Sequence, residues 1–160
     1  MRPGQILVAD HEGVYVIKMV GDVRLTLCIS FDQFIDSMFG AEDFSAVLFD
    51  LSEAEAIDST TLGLMAKISL QGQDRHNIIP VILSTNPSIN RILQTMGFQD
   101  IFTIVNELQT PVCPSRELAA GVNDEHEVKE KVLEAHKILM GLNQENSATF
   151  RNLVKMLECN

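Results

Sequence analysis

The residues best suited to chemistry lie in one short stretch, DSTTLG, from Asp58 to Gly63. An apolar run and an acidic turn precede it and an amphipathic pattern follows, which predicts a strand, a loop and the start of a helix. The free backbone N–H groups and the dipole of a helix N-terminus favour an added negative charge. Ser59 is therefore chemically suited to carry a phosphate group.

A purely structural role for these residues is the simplest alternative. Ser59 or Asp58 would then cap the helix, which is worth about 1 kcal/mol and is compatible with phosphorylation. Leu62 stands three residues after Ser59, where a capping box needs Glu or Gln, so we expect the helix entrance to stay open. A phosphate of about −1.5 to −2 charges should then change binding without unfolding the protein.

Other reactive sites have weaker support. Neither glycine pattern that cradles nucleotide phosphates occurs, which disfavours a kinase or an NTPase. No Gly-x-Ser-x-Gly elbow surrounds any serine, so a catalytic Ser–His pair has almost no signal, although the sequence leaves it open. We expect no metal and no cofactor, because the histidines lack metal-ligand spacing and fit the surface or helix faces better. These histidines are His11, His76, His126 and His136.

Composition and charge narrow the class of protein. The 160 residues allow one domain with a core and an extension, and 46% hydrophobic with 21% charged residues is typical of globular proteins. A net charge of −10 disfavours nucleic acids and anionic membranes and favours protein partners. Three scattered cysteines form no disulfide framework and no stretch reaches membrane-spanning length, so we expect a cytoplasmic protein.

The elements that must position Ser59 alternate between strands and helices. The patterns predict a β-hairpin (6–9 and 14–20), a helix (31–39), a strand (46–51), a helix (60–73), a strand (80–83), a short helix (87–96) and a strand (102–105). We expect a turn at Gly21-Asp22, after the hairpin. Because neighbouring parallel strands need helical crossovers, the alternation of strands and helices predicts an α/β fold with a mixed sheet covered by helices.

The C-terminal third has a different pattern. After Pro111 and Pro114 it becomes charged and helical, with apolar stripes in 124–142 and 150–157. We expect a helical hairpin and favour its packing on the parent domain over a free partner-binding arm. The predicted division is a domain over 1–110, followed by a linker and C-terminal helical extension over 111–160.

A response-regulator receiver is a competing interpretation. The strings ILVADHE, VLFDLSE and PVILST resemble one, with Asp10 and Glu12 as metal-site acids and Asp50 as the phosphorylated residue. A receiver has a helix where this chain has the strand-like VYVIKMV, and its fifth strand supplies a lysine. No lysine lies between Lys67 and Lys129, so the receiver stays a minor alternative.

The better resemblance is to the STAS domain of bacterial anti-sigma factor antagonists. The string DLSEAEAIDSTTLG is similar to that family's strand, variable loop and Asp-Ser-x-x-Leu-Gly helix entrance. The hairpin and the PVILST strand also fall in the family's order, so the resemblance spans about residues 5 to 108. It implies a non-enzymatic protein that is phosphorylated at Ser59 by a partner which is both anti-sigma factor and serine kinase. A PP2C-type phosphatase would reset it.

The resemblance also implies how such a switch works. The unphosphorylated form would sequester the anti-sigma factor and free the sigma factor, and a phosphate in the acidic rim near Glu53 and Glu55 would release the partner. The residues expected to contact partners are Asp22, Asp58, Ser59, Thr60 and Thr61. Asp22 would join them only if its turn lies near the helix entrance. Two further interpretations stay open. The protein could have another signalling partner, or it could be a STAS module that binds a small ligand or scaffolds a sensor complex.

Overall fold

Six strands form one mixed sheet. The structure, a computed structural model, describes residues 2–108, 116–120 and 124–159. The strands are β1 (Gln5–His11), β2 (Val14–Val23), β3 (Ala46–Ile57), β4 (Val81–Leu83), β5 (Thr103–Val105) and β6 (Arg116–Glu117), in the order β5-β4-β3-β2-β1-β6. Strands β2 to β5 are parallel, whereas β1 is antiparallel to β2 and to β6. The predicted α/β fold with a mixed sheet is confirmed.

Five α-helices accompany the sheet in the described part of the chain. They are α1 (Cys28–Gly40), α2 (Ser59–His76), α3 (Pro87–Thr95), α4 (Glu125–Leu142) and α5 (Gln144–Glu158). The last four begin after a capping side chain that accepts a backbone N–H of the first turn: Asp58, Asn86, Asp124 and Asn143. None of the helices within these described ranges has both the length and the apolar character that crossing a membrane requires.

Strand β3 is longer than its apolar run predicts. Residues 52–57, expected to form an acidic loop, continue the strand and pair with β2 as far as Val23↔Ile57. Cations beside the strand balance its acidic side chains: Arg2 Nε lies 2.7 Å from Glu55 Oε1, and Lys18 forms an ion pair with Glu53. The loop prediction was therefore wrong, because the segment pairs with β2, and two of its acidic side chains lie beside neighbouring cations.

The predicted turn at Gly21-Asp22 is also wrong. Both residues lie within β2, where shifts in the pairing register on either side of Gly21 mark an irregularity. Gly21 has φ of 73°, a value that glycine adopts without steric cost. The Asp22 N–H donates to the Arg2 carbonyl at 3.0 Å, so the N-terminal segment holds this bend in place.

The C-terminal helices share the core of the sheet. Ala135 and Leu139 of α4 are fully buried in the same cluster as Phe49 of β3. Helix α4 lies so close to α2 that a Cβ built at Gly63 would fall 2.3 Å from the Ala135 carbonyl oxygen. Helix α5 packs in turn on α4. The predicted boundary between residues 110 and 111 lies outside the described residues.

Candidate functional site

Asp58 fastens the start of helix α2. Its Oδ1 accepts the Thr61 N–H at 2.9 Å and its Oδ2 accepts the Leu25 N–H at 2.7 Å. Its own N–H donates to the Val23 carbonyl at 3.0 Å, so one residue ties the helix to the end of β2 and to the turn after it. Asp58 is thus the N-cap. The expectation of an open helix entrance was wrong in this respect, since the carboxylate of Asp58 satisfies one of the first free amides.

Ser59 is the first residue of α2, and its side chain is half-buried against α4. Its Oγ lies 2.7 Å from Nε2 of His136, whose Nδ1 lies 2.6 Å from the Val132 carbonyl oxygen. A carbonyl can only accept, so Nδ1 carries a proton, and in the neutral imidazole Nε2 is then the acceptor of the Ser59 hydroxyl proton. The hydroxyl of Ser59 therefore donates to a helix of the C-terminal segment.

His136 itself is only 2% exposed, although surface positions were among the predicted places for the histidines. Its ring meets Phe150 of α5 edge to face, with the ring centroids 4.9 Å apart. Sequence reasoning missed this residue as part of the site. A signal was present, because His136 follows Val132 by four residues and precedes Leu139 by three, which places it on the apolar stripe of α4.

The Ser59–His136 pair does not have the arrangement of a hydrolytic triad. In such triads a carboxylate holds Nδ1 of the histidine and stabilises the imidazolium that forms during the reaction. Here the carbonyl of Val132, in the preceding turn of the same helix, takes that position. The pair is therefore arranged to hold α4 against α2.

The other residues expected to contact a partner are divided between the surface and the interior. Thr60 and Thr61 are each 2% exposed, so they offer almost no side-chain surface in this conformation. Asp22 pairs with Ala56 in the sheet, which brings it to the same end of β3 as Asp58 and Ser59. Its Oδ2 lies 2.7 Å from Arg24 Nε. Contact of these residues with a partner stays a prediction.

A charged cluster lies beside the site and joins three helices. Lys67 of α2 and Lys131 of α4 lie 2.8 and 2.6 Å from the two carboxylate oxygens of Asp32 on α1. Glu134 Oε1 lies 3.1 Å from Lys67 Nζ. Burial raises the pKa of Asp32, but hydrogen bonds from Lys131 and Lys67 outweigh it, so the net pKa lies below its ordinary value. Asp32 is thus held as a carboxylate between two ammonium groups.

The acids of the receiver interpretation do not converge. Asp10 of β1 is paired with Tyr15, and Tyr15 with Val47, three residues before Asp50 on β3. Asp10 and Asp50 are therefore two strands apart and about 10 Å apart along the strand direction. Glu12 lies in the hairpin turn, with φ of 54°. In the described ranges, no group of three or more His, Cys, Asp or Glu side chains is placed to hold a metal ion.

Comparison with known proteins identifies the family. A sequence model of the STAS domain matches residues 5–110, which is more than half of the chain. No curated protein sequence matches. Among solved structures, the chain is similar to the crystal structure of an anti-sigma factor antagonist from Mycobacterium paratuberculosis, with a TM-score of 0.55 and 23% identity over 66% of this chain and 88% of that one. At this identity the likeness supports the fold, and together with the match over residues 5–110 it shows that the chain belongs to the STAS domain family.

Proposed function

We propose that this protein is an anti-sigma factor antagonist whose binding is switched by phosphorylation of Ser59. The observation that carries the proposal is the position of Ser59, half-buried at the first residue of α2 and immediately after the Asp58 cap. Membership of the STAS family and the structural likeness to an anti-sigma factor antagonist support it. In this proposal the chain is a binding protein in the cytoplasm and a substrate of other enzymes.

The proposed cycle has two states. The unphosphorylated protein binds an anti-sigma factor that is also a serine kinase, and the sigma factor is freed. Transfer of a phosphoryl group to Ser59 by that partner ends the complex, and a PP2C-type phosphatase restores the hydroxyl. The N-terminal dipole of α2 favours the added negative charge, so the modified domain stays folded.

The phosphate itself supplies most of the repulsion in this proposal. Glu53 and Glu55, expected to make the rim acidic, are engaged by Lys18 and Arg2. Bulk and charge introduced into a closed interface commonly cost several kcal/mol, and about 1.4 kcal/mol corresponds to tenfold in affinity. We therefore expect phosphorylation to weaken the complex at least about a hundredfold.

Substitutions at Ser59 test the proposal. We expect Ser59→Ala to retain an anti-sigma factor from a lysate of the source cells constitutively, and Ser59→Asp to retain it at least about a hundredfold more weakly. Pull-down with mass spectrometry identifies the protein, and calorimetry on the purified pair measures the affinity. Ser88→Asp is the matched control, because Ser88 is an exposed serine in the first turn of α3. Equal retention by native protein, Ser59→Ala and Ser59→Asp would overturn the proposal.

A further inference from the structure

The hydrogen bond between Ser59 and His136 connects the proposed switch to the C-terminal helices. We propose that phosphorylation of Ser59 breaks this bond and loosens α4 from α2 around His136, so that the α4–α5 pair responds to the state of the serine. The inference rests on the proposed function, because it takes Ser59 as the modified residue. It adds an effect inside the molecule to the effect on the partner.

Phosphorylation removes the donor of this hydrogen bond. The Ser59 O–H bond breaks and an Oγ–P bond forms, while a nucleoside triphosphate on the kinase gives up its terminal phosphoryl group and leaves as the diphosphate. The proton passes to solvent. Oγ then has no hydrogen to donate, and in the neutral imidazole the lone pair of Nε2 faces the oxygens of the phosphate.

His136 has no easy replacement for the lost partner. The residue is 2% exposed, so water cannot reach Nε2 while α4 stays docked. Its Nδ1 proton is held by the Val132 carbonyl at 2.6 Å, which keeps the acceptor nitrogen facing Ser59. A buried acceptor without a donor destabilises the arrangement that buries it, and the phosphate adds repulsion to that effect.

The packing around the site determines the direction of the response. A Cβ at Gly63 would lie 2.3 Å from the Ala135 carbonyl oxygen, so α4 has no space to move closer to α2. One helical turn further along α2, Lys67 remains bound to Asp32 and Glu134. Loosening is therefore concentrated near His136, and the Phe150 ring that packs on His136 transmits it to α5.

Hydrogen exchange on the full chain tests this inference without any partner. Phosphoserine is introduced at position 59 during translation, and amide exchange of peptides from α4 is followed by mass spectrometry. We expect exchange around 132–139 to become at least about tenfold faster, the change that one lost buried hydrogen bond produces. Peptides from β2 and β3 should be unchanged. Phosphoserine at Ser88, in the first turn of α3, is the control and should leave α4 unaffected.

A second comparison keeps the inference falsifiable. The native bond is absent in His136→Ala, so phosphoserine at 59 should accelerate α4 exchange little in that background. His126→Ala, at an exposed position of the same helix, should keep the full response. Unchanged or slower exchange in phosphorylated native protein, faster exchange throughout the chain, or equal responses with and without His136 would each overturn the inference. None of these results depends on partner retention, which tests the proposed function separately.

Discussion

Gly63 occupies the closest approach between α2 and α4. A glycine in a helix interior costs about 1 kcal/mol relative to alanine, so its presence calls for a packing reason. The reason is the Ala135 backbone, whose carbonyl oxygen and Cβ would lie 2.3 and 2.6 Å from a Cβ at position 63. Both distances are shorter than van der Waals contact allows, and the carbonyl oxygen belongs to backbone that cannot rotate away.

We therefore expect Gly63→Ala to lower the free energy of unfolding by about 1–3 kcal/mol, because overpacking outweighs the gain in helix propensity. Gly72→Ala is the matched control in the same helix, since its Cβ would make ordinary contacts at 3.5 Å or more. It should raise the free energy of unfolding by about 0.5–1 kcal/mol. Urea denaturation measures both, and equal stabilisation by the two substitutions would show that α4 does not lie this close to α2.

At the residue scale the sequence predicts one half of the site. Asp58 and Ser59 were identified because a helix start imposes local rules on residue type and spacing. His136 was not linked to them, because its partner lies 77 residues away and no local periodicity reports which helix an apolar stripe will meet. Burial of Thr60 and Thr61 was missed for the same reason, since local rules at a helix start do not report which neighbours cover its first turn.

Helices α1, α2 and α4 are held together by the cluster of Asp32, Lys67, Lys131 and Glu134. Burial lowers the pKa of Lys67 and of Lys131, but hydrogen bonds to carboxylates raise it by more. The net pKa of each lysine therefore lies above its ordinary value. The pKa of Asp32 is lowered, so its carboxylate contributes stability above about pH 4, the ordinary aspartate range. That contribution disappears as the pH falls through the lowered pKa of the folded state.

Asp32→Asn tests this cluster. At neutral pH the substitution should lower the free energy of unfolding by about 3 kcal/mol, because two ammonium groups lose a buried partner. The difference from native protein should shrink as the pH falls from about 7 to about 2, as urea denaturation at each pH would measure. Asp36→Asn, at an exposed position of α1, should change stability by less than about 0.5 kcal/mol. A difference that stays constant with pH would contradict the role of the ionised carboxylate.

At the element scale, local patterns predict the strands and helices whose buried faces repeat regularly. They fail at residues 52–57, because pairing with β2 continues the strand through a segment whose charged residues resemble a loop. They fail at Gly21-Asp22, where pairing with the N-terminal segment keeps a glycine inside a strand. They also miss β6, since two residues become a strand only where the edge of β1 is available to them.

At the scale of the whole molecule, the sheet and the C-terminal helices share one core within the described residues. We therefore expect native protein to unfold in a single transition. The chain contains one tyrosine and no tryptophan, so fluorescence reports on Tyr15, which is buried in β2. Helices α4 and α5, of 18 and 15 residues, contribute much of the far-ultraviolet circular dichroism. The two signals should change at the same urea concentration, and earlier loss of ellipticity would show that the helices form a separate unit.

The distance in sequence between Ser59 and His136 has a consequence for newly made protein. Ribosomes add about 5–20 residues per second, so the 77 residues that are added after Ser59, up to and including His136, represent roughly 4–15 s of synthesis. During that interval Ser59 exists without its histidine. In the proposed cycle, a kinase that meets the growing chain would find the hydroxyl uncovered, and the fraction of molecules phosphorylated at Ser59 would then depend on the rate of translation as well as on the proposed kinase and phosphatase.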